Sequence, residues 1–184
     1  MSSLADIEDA RLVANTFNVS IIETSLTETY NVLEQELNKK FENGISNDAK
    51  INIKPRLRMT TLYAIAQTMG YLVMGTGNLS EGIMGYTTKW GDSSYDFNPI
   101  GNFTAEEVEM IGEYLGVPKR VVNKPPADGI SGQTDEEKMG VKYSRIAEYI
   151  NTGKTDEKAM EIIERMNRIS EHKRKMPPVY PFTR

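Results

Sequence analysis

The sequence predicts an α/β fold in which helices pack against a parallel sheet. Segments with helical spacing of apolar residues alternate with short apolar segments, and this alternation is typical of layered α/β proteins. Strands are predicted at residues 19–23 and 72–75. A chain of 184 residues with 39% hydrophobic and 26% charged residues can bury one sizeable core. We therefore expect a single domain over residues 1–184.

Local signals place the first two helices. Residues 6–17 carry apolar side chains at helical spacing, and Ser3 or Asp6 can cap the helix they form. Ser25 or Thr27 can cap the second helix, whose apolar residues lie on one face.

A third helix is predicted at residues 54–70, with Pro55 in its first turn, where proline is tolerated. Arg56 and Arg58 would then lie near its N-terminus, where cations oppose the helix dipole. Either an anionic partner or nearby acids could compensate them, and the sequence leaves both alternatives open.

The second half of the chain is predicted to consist of helices separated by two long loops. Thr104, with Glu107 three residues later, indicates a capping box for a helix that ends near Gly116. Further helices are predicted at residues 135–140, 144–150 and 155–170, followed by a C-terminal tail at 171–184. The loops at residues 76–101 and 124–140 are rich in residues that break regular structure, and loops of this length are often functional.

Composition narrows the function classes. The chain has no cysteine, which excludes disulfides, thiolate metal sites and cysteine nucleophiles. A net charge of −4 gives no reason to expect nucleic-acid binding. Apolar runs are too short for a membrane span, and the N-terminus has acids where a signal peptide would be basic. A cytoplasmic enzyme or binding protein is the expectation.

The loop after residues 72–75 begins where α/β folds bind ligands, at the carboxyl end of a strand. Its glycines allow close backbone approach, Thr76 offers a hydroxyl, and Glu81 offers a hard oxygen suited to Mg²⁺. Spacing alone favours a simpler interpretation, a strand-to-helix turn with a solvated glutamate. The segment is not a Walker P-loop, because no Gly-Lys-Ser/Thr follows.

Three other clusters have both a functional and a structural interpretation. Lys89 and Asp96 could hold a polar ligand or form surface ion pairs, and Trp90, the only tryptophan, could pack the loop or stack on a ring. Acids at residues 133–137 and cations at residues 171–175 also match the dipole at helix ends. The single histidine, His172, is weak evidence for acid–base chemistry.

Taken together, the order and spacing of these blocks resemble the ammonia-dependent NAD synthetase family over nearly the whole chain. The blocks are Lys54-Pro55-Arg56-x-Arg58-Met59, Gly75-Thr76-Gly77-Asn78-x-Ser80-Glu81, Gly85-Tyr86-x-Thr88-Lys89-x-Gly91-Asp92, Asp96-x-Asn98-Pro99-Ile100, Gln133-Thr134-Asp135-Glu136 and Ser170-Glu171-His172-Lys173-Arg174.

The resemblance implies an adenine nucleotide α-hydrolase-like fold, a three-layer parallel sheet with flanking helices. It implies a ligase that adenylylates the nicotinate carboxylate of deamido-NAD with ATP and Mg²⁺, after which ammonia displaces AMP to give NAD. It also implies a homodimer. By resemblance, Thr76 contacts ATP and Glu81 binds Mg²⁺, and no residue is assigned to catalysis. The residues implied to hold deamido-NAD are Arg56, Lys89, Asp96, His172 and Lys173.

The sequence departs from the family pattern in three places. Ala105 stands where many members have a lysine, and Ala127 stands where a hydroxyl residue usually follows proline, so ATP contacts are expected to be missing there. The family's Ser-Gly-Gly-x-Asp-Ser phosphate loop, with its strand and helix, has no match before the first helix. We therefore expect little or no synthetase activity from these residues alone. The alternatives are a nucleotide-binding remnant and a dimerising interaction protein.

Overall fold

Helices make up most of the regular structure in the computed structural model, which describes residues 2–127 and 133–181. The predicted loop at 124–140 and tail at 171–184 therefore lie partly outside the described residues. The described helices are α1 (Leu4–Thr16), α2 (Thr27–Asn38), α3 (Asn47–Met69), α4 (Leu79–Met84), α5 (Ala105–Leu115), α6 (Lys119–Val122), α7 (Asp135–Met139), α8 (Tyr143–Thr152), α9 (Glu157–Ile169) and a 3-10 helix (Glu171–Lys173).

The predicted strands are not formed in the described residues. Residues 19–23 have no regular secondary structure, and Val19 and Ile22 are 61% and 60% exposed. Segment 72–75 contributes one isolated parallel bridge, between Met74 and Phe97. A strand needs a neighbour to pair its backbone, and a local sequence pattern cannot supply one. The three-layer sheet is not confirmed, although the single bridge has the expected parallel direction.

Helix caps show where local signals succeed. Ser3 caps α1 and Asp6 completes its capping box, so both candidate residues take part. The capping box of Thr104 and Glu107 at the start of α5 is confirmed as well. The predicted cap of α2 is wrong, because Leu26 occupies the cap position and no side chain bonds there.

Helix α3 begins earlier than predicted. The Ser46 side chain accepts a hydrogen bond from the Ala49 N–H and caps the helix. Pro55, Arg56 and Arg58 therefore lie inside the helix, and the argument that two arginines oppose its dipole is wrong. A proline inside a helix removes one backbone donor, and the helix here continues past it to Met69.

The core lies among the C-terminal helices and α4. The side chains of Met84, Ile146 and Ile163 are fully buried and belong to one cluster. Helix α4 falls inside the predicted loop at residues 76–101, because Asn78 and Glu81 form a capping box that starts a helix there. No helix in the described ranges has the length and apolarity that crossing a bilayer requires.

Ion pairs connect α1 to the segment after α6. Helix α1 has no buried residue. Lys124 Nζ lies 2.6 Å from Asp6 and 2.8 Å from Asp9, and Arg120 lies 2.6 Å from Asp9. The hydrogen bond from Lys124, followed by that from Ser3, lowers the pKa of Asp6 to about 2. The first residue of the 124–140 loop is thereby tied to α1.

Replacing Asp9 with asparagine is expected to speed amide hydrogen exchange throughout α1. The change removes one carboxylate shared by two cations, and little apolar contact remains to hold the helix. Glu8→Gln is the matched control, since it neutralises the adjacent acid on the same helix. Equal exchange rates in the two variants would mean that these ion pairs do not hold α1.

Candidate functional site

Three of the predicted site residues lie together where α3, the loop at residues 76–101 and the C-terminal 3-10 helix meet. Arg56 donates from Nε and Nη2 to the carbonyl oxygen of Lys89, each at 3.3 Å. Lys89 Nζ lies 3.5 Å from His172 Nδ1. Residues far apart in sequence thus form one cluster of basic side chains, which we call the Lys89 cluster: Arg56, Lys89 and His172.

The turn that carries Lys89 is fixed to α3. Buried Thr88 donates from Oγ1 to Asn52 Oδ1 at 2.7 Å, and its N–H donates to Asp92 Oδ1 at 2.9 Å. The Gly91 N–H donates to the Thr88 carbonyl at 2.9 Å and closes the turn. A Cβ atom at Gly91 would lie 3.1 Å from Pro55 Cβ, so the turn approaches α3 closely. The backbone of Lys89 is therefore held on both sides.

Lys173 holds the same loop from the C-terminal side. Its ammonium donates to the carbonyl oxygens of Gly85 and Thr87, at 2.7 and 2.6 Å. Burial lowers the pKa of Lys173. Two of its three N–H donors are therefore used by protein carbonyls, and its direct contact with substrate stays a prediction.

Arg174 adds contacts that were not expected from the sequence. Its Nη1 donates to the Gly82 carbonyl at 3.0 Å and to Ser170 Oγ at 2.8 Å, and its Nη2 donates to the Asn167 carbonyl. The end of α9 is thereby bonded to α4. Besides its place in the motif block at residues 170–174, its sequence signal was a cation at a helix end, which has a common explanation in the helix dipole.

Asp96 and Thr76 belong to the parts of the 76–101 loop that lie away from the Lys89 cluster in sequence. Asp96 Oδ2 accepts from the Val73 N–H at 2.7 Å, and Oδ1 accepts from the Tyr63 hydroxyl at 3.3 Å. Thr76 borders a cavity of about 250 Å³ that Arg58 and Asp92 also line. Asp96 thus fixes the backbone segment that leads to Thr76. Thr76 borders a cavity lined by one positively charged and one negatively charged side chain.

Glu81 combines a structural bond with an unusual electrostatic environment. Its Oε2 accepts from the Asn78 N–H at 2.8 Å, which completes the capping box of α4. Burial raises the pKa of Glu81 to about 7; the Asn78 bond opposes this, while the charges of Asp135 and Asp92 add to it. In this partly buried position, a positive charge beside Glu81 would stabilise its ionised carboxylate.

Two buried groups beside Glu81 escaped prediction. Asp135 is 5% exposed, and its Oδ2 accepts from the Tyr143 hydroxyl at 3.4 Å. Burial, with the negative charges of Glu81 and Asp135, raises the pKa of Tyr143. Asp135 had the appearance of an ordinary acid in the first turn of a helix, and its burial has no local sequence signal.

Sequence comparison decides the family. The NAD synthase family profile matches residues 1–177. The chain belongs to the NAD synthase family. The motif resemblance is thus confirmed across the chain, and the Lys89 cluster and Glu81 both lie within the matched residues.

Relatives of this NAD synthase family chain come from bacteria and archaea. It is 44% identical over 179 residues to the NH(3)-dependent NAD(+) synthetase of Carboxydothermus hydrogenoformans, covering 97% of this chain and 74% of that protein. It is 41% identical over 180 residues to the protein of the same name from Archaeoglobus fulgidus, covering 95% and 70%.

Solved structures of similar proteins share the fold. NMN synthetase from Francisella tularensis superimposes with a TM-score of 0.93 at 35% identity, covering 98% of this chain and 75% of that one. The NH3-dependent NAD synthetase from Campylobacter jejuni gives 0.74 at 24% identity, covering 98% and 74%. At that identity the second likeness shows the fold alone.

Ala105, at a position where the resemblance implies a lysine, has a packing explanation. Ala105 is 7% exposed within the core cluster, and its N–H donates to Ser80 Oγ at 3.3 Å. A lysine side chain would not fit among these neighbours without displacing them. Ala127 is exposed.

Glu81 is expected to make stability fall as pH rises in the absence of divalent cations. Its folded pKa of about 7 lies above the ordinary value of 4.5, so the folded state binds more protons between these values. The contribution of Glu81 to the free energy of unfolding should then decrease from pH 4.5 to 7 and level off above, by on the order of 3 kcal/mol. Urea unfolding of wild type and Glu81→Gln across this range tests it. Parallel pH profiles would contradict it.

Proposed function

We propose that this protein is a ligase that converts deamido-NAD to NAD with ATP and ammonia. The observation that carries the proposal is its 44% identity, over 97% of the chain, to a protein named NH(3)-dependent NAD(+) synthetase. The positive charges of Arg56 and Lys89, which lie together beside His172, support it because they suit a substrate with negative phosphates.

The reaction consists of two displacements. The nicotinate carboxylate of deamido-NAD attacks the α-phosphorus of ATP, and pyrophosphate leaves. Ammonia then attacks the activated carbonyl carbon, AMP leaves, and a proton is lost to give the amide. Charge accumulates on phosphate oxygens in the first step, so fixed cations at Lys89 and Arg56 stabilise its transition state. Holding the reactants in place supplies much of the remaining rate increase.

We assign Arg56, Lys89, Asp96, His172 and Lys173 to deamido-NAD and Thr76 to ATP. Lys89 and Arg56 supply charge, whereas Lys173 and Asp96 also fix the backbone that carries the neighbouring contacts. We assign Mg²⁺ to Glu81, whose raised pKa and nearby carboxylates suit a cation. A bound Mg²⁺ neutralises phosphate charge. Within the described residues, no group of three or more acids or histidines is arranged to hold a metal ion, so phosphates and water would supply most of the ligands.

We further propose a parallel sheet, a homodimer and a cytoplasmic location. The parallel bridge between Met74 and Phe97 supports the sheet. Apolar side chains on the predicted strands, including Ile22 and Leu72, are 60% and 70% exposed, and pairing or assembly would cover them. The absence of a disulfide-forming residue suits a reducing compartment.

A second candidate is an NMN synthetase, which would amidate nicotinate mononucleotide instead of deamido-NAD. The observation that favours it is the TM-score of 0.93 with the protein of that name, against 0.74 with an NAD synthetase. Both substrates present the same nicotinate carboxylate. They differ in the adenylate half, so the same chemistry serves either one.

Parallel assays with deamido-NAD and nicotinate mononucleotide, each with ATP, Mg²⁺ and ammonia, test both candidates. The relatives' name favours turnover over the little or no activity that the unmatched phosphate loop predicts, so amide and AMP should form together. The ratio of kcat/KM values then identifies the substrate. Binding of either substrate without turnover would favour the nucleotide-binding remnant. A stable dimer that binds no nucleotide would instead favour an interaction protein.

A further inference from the structure

Trp90 has a backbone conformation that costs energy for a bulky side chain. Its φ of 60° lies in the left-handed region, which favours glycine and asparagine. The turn around it enforces this conformation, since both the Gly91 N–H and Ser93 Oγ donate to the Thr88 carbonyl. Thr88 is itself anchored to Asn52 of α3. Such strain persists where the surrounding structure over-determines it, and it often marks a functional position.

Stability does not explain a tryptophan at this position. The side chain of Trp90 is 51% exposed and is not part of the core cluster. Asparagine or glycine would adopt the turn with less strain and would leave less apolar surface in water. Packing in the core therefore does not account for the indole.

The surroundings of the indole indicate what it would bind. Lys89 Nζ lies 5.5 Å from the centroid of the Trp90 ring and 3.5 Å from His172 Nδ1. Lys89 lies over one face of a half-exposed ring, and an aromatic surface beside an ammonium suits a flat ring that carries a negative group. Stacking on an aromatic side chain accepts any nucleotide ring, while a neighbouring cation attracts its phosphate.

We propose that Trp90 is a stacking residue for the heteroaromatic ring of a nucleotide whose phosphate pairs with Lys89. This rests on the proposed function, which supplies two such rings, the pyridine of nicotinate nucleotides and the adenine of ATP. The shared chemistry is an aromatic ring on a ribose phosphate.

The single tryptophan makes a direct binding experiment possible, because fluorescence excited selectively in tryptophan reports Trp90 alone. Nicotinate mononucleotide and ATP are titrated separately, with ribose 5-phosphate as a ligand that has the charge but no ring. Saturable quenching by one nucleotide, absent with ribose 5-phosphate, identifies the ring that stacks. No quenching by either nucleotide, or equal quenching by ribose 5-phosphate, would overturn the proposal.

Two variants separate binding from structure. Trp90→Asn removes the ring and suits the left-handed turn, so calorimetric affinity for the quenching nucleotide should fall about tenfold while Tm is equal or higher. Trp90→Phe keeps a ring and should retain most of the affinity. Unchanged affinity in Trp90→Asn, or equal losses of Tm in both variants, would show that Trp90 only packs the turn.

The same experiments distinguish this proposal from the proposed function. If wild-type protein forms the amide but its fluorescence does not respond to nucleotides, only the stacking role fails. If quenching is observed without turnover, the stacking role stands and the ligase function fails. A fluorescence change that follows protein concentration, with no response to nucleotide, would assign Trp90 to contact with a second copy and overturn the proposal.

Discussion

Gly85→Ala is expected to lower the free energy of unfolding by about 2–4 kcal/mol, more than a backbone effect alone would give. Gly85 ends α4 with a φ of 62°, which already disfavours alanine. In addition, a Cβ atom at this position would lie 2.1 Å from both Cβ and Oγ of Ser170. This is a collision, so α9 or α4 must move to relieve it.

Ser170 is poorly placed to give way. It is 4% exposed, its Oγ donates to the Met166 carbonyl at 2.6 Å, and it accepts from Arg174 at 2.8 Å. Movement of Ser170 would disturb the contacts of Arg174 with Gly82 and those of Lys173 with the Gly85 carbonyl. The loop that carries Lys89 would then lose its support from the C-terminal side.

Gly153→Ala is the matched control. Gly153 also ends a helix, with a φ of 73°, but a Cβ atom there meets nothing within 4 Å. It should lose only about 1 kcal/mol, the cost of the left-handed backbone. Urea unfolding followed by circular dichroism compares the two variants. Equal losses would show that the contact between Gly85 and Ser170 relaxes without cost.

The sequence predicts this fold best where the signal is local. The predicted capping box of Thr104 and Glu107 joins residues three positions apart, and the structure contains it, as it does the predicted cap Ser3. The start of α3 was missed because Pro55 resembled a first-turn residue, while the true cap, Ser46, lies further upstream. The strand at residues 19–23 failed for a different reason, since strand formation depends on pairing that no local pattern contains.

The candidate site depends on contacts between distant residues. Arg56 and Lys89 are 33 positions apart, and Lys89 and His172 are 83 apart. Their types and order indicate the family, but charge patterns do not reveal that they meet. The raised pKa of Glu81 is harder still to predict from the sequence, because it arises mainly from burial, which depends on the packing of distant residues. An acid in a helix N-terminal turn is ordinarily solvated.

Glu81→Gln is expected to reduce amide formation about 100-fold or more while leaving the fold intact. The glutamine carbonyl can replace Oε2 as acceptor for the Asn78 N–H, so the cap of α4 is retained. The variant loses the negatively charged carboxylate that we propose binds Mg²⁺. Removing even a residue that only supports a metal ligand lowers activity or metal affinity by roughly 10–100-fold. Because the change removes a carboxylate that burial disfavours, stability at pH 8 should equal or exceed that of wild type.

Glu107→Gln is the matched control, because Glu107 occupies the same capping-box position in α5. The Glu107 Oε2 accepts from the Thr104 N–H at 2.7 Å, and the Glu107 side chain is exposed. If Glu81 acts only as a cap, the two variants should behave alike. If it binds the cation, Mg²⁺ should raise the Tm of wild type and of Glu107→Gln at pH 8 but not that of Glu81→Gln. An equal Mg²⁺ response in all three proteins, with unchanged turnover, would remove Glu81 from the metal site and leave it a helix cap.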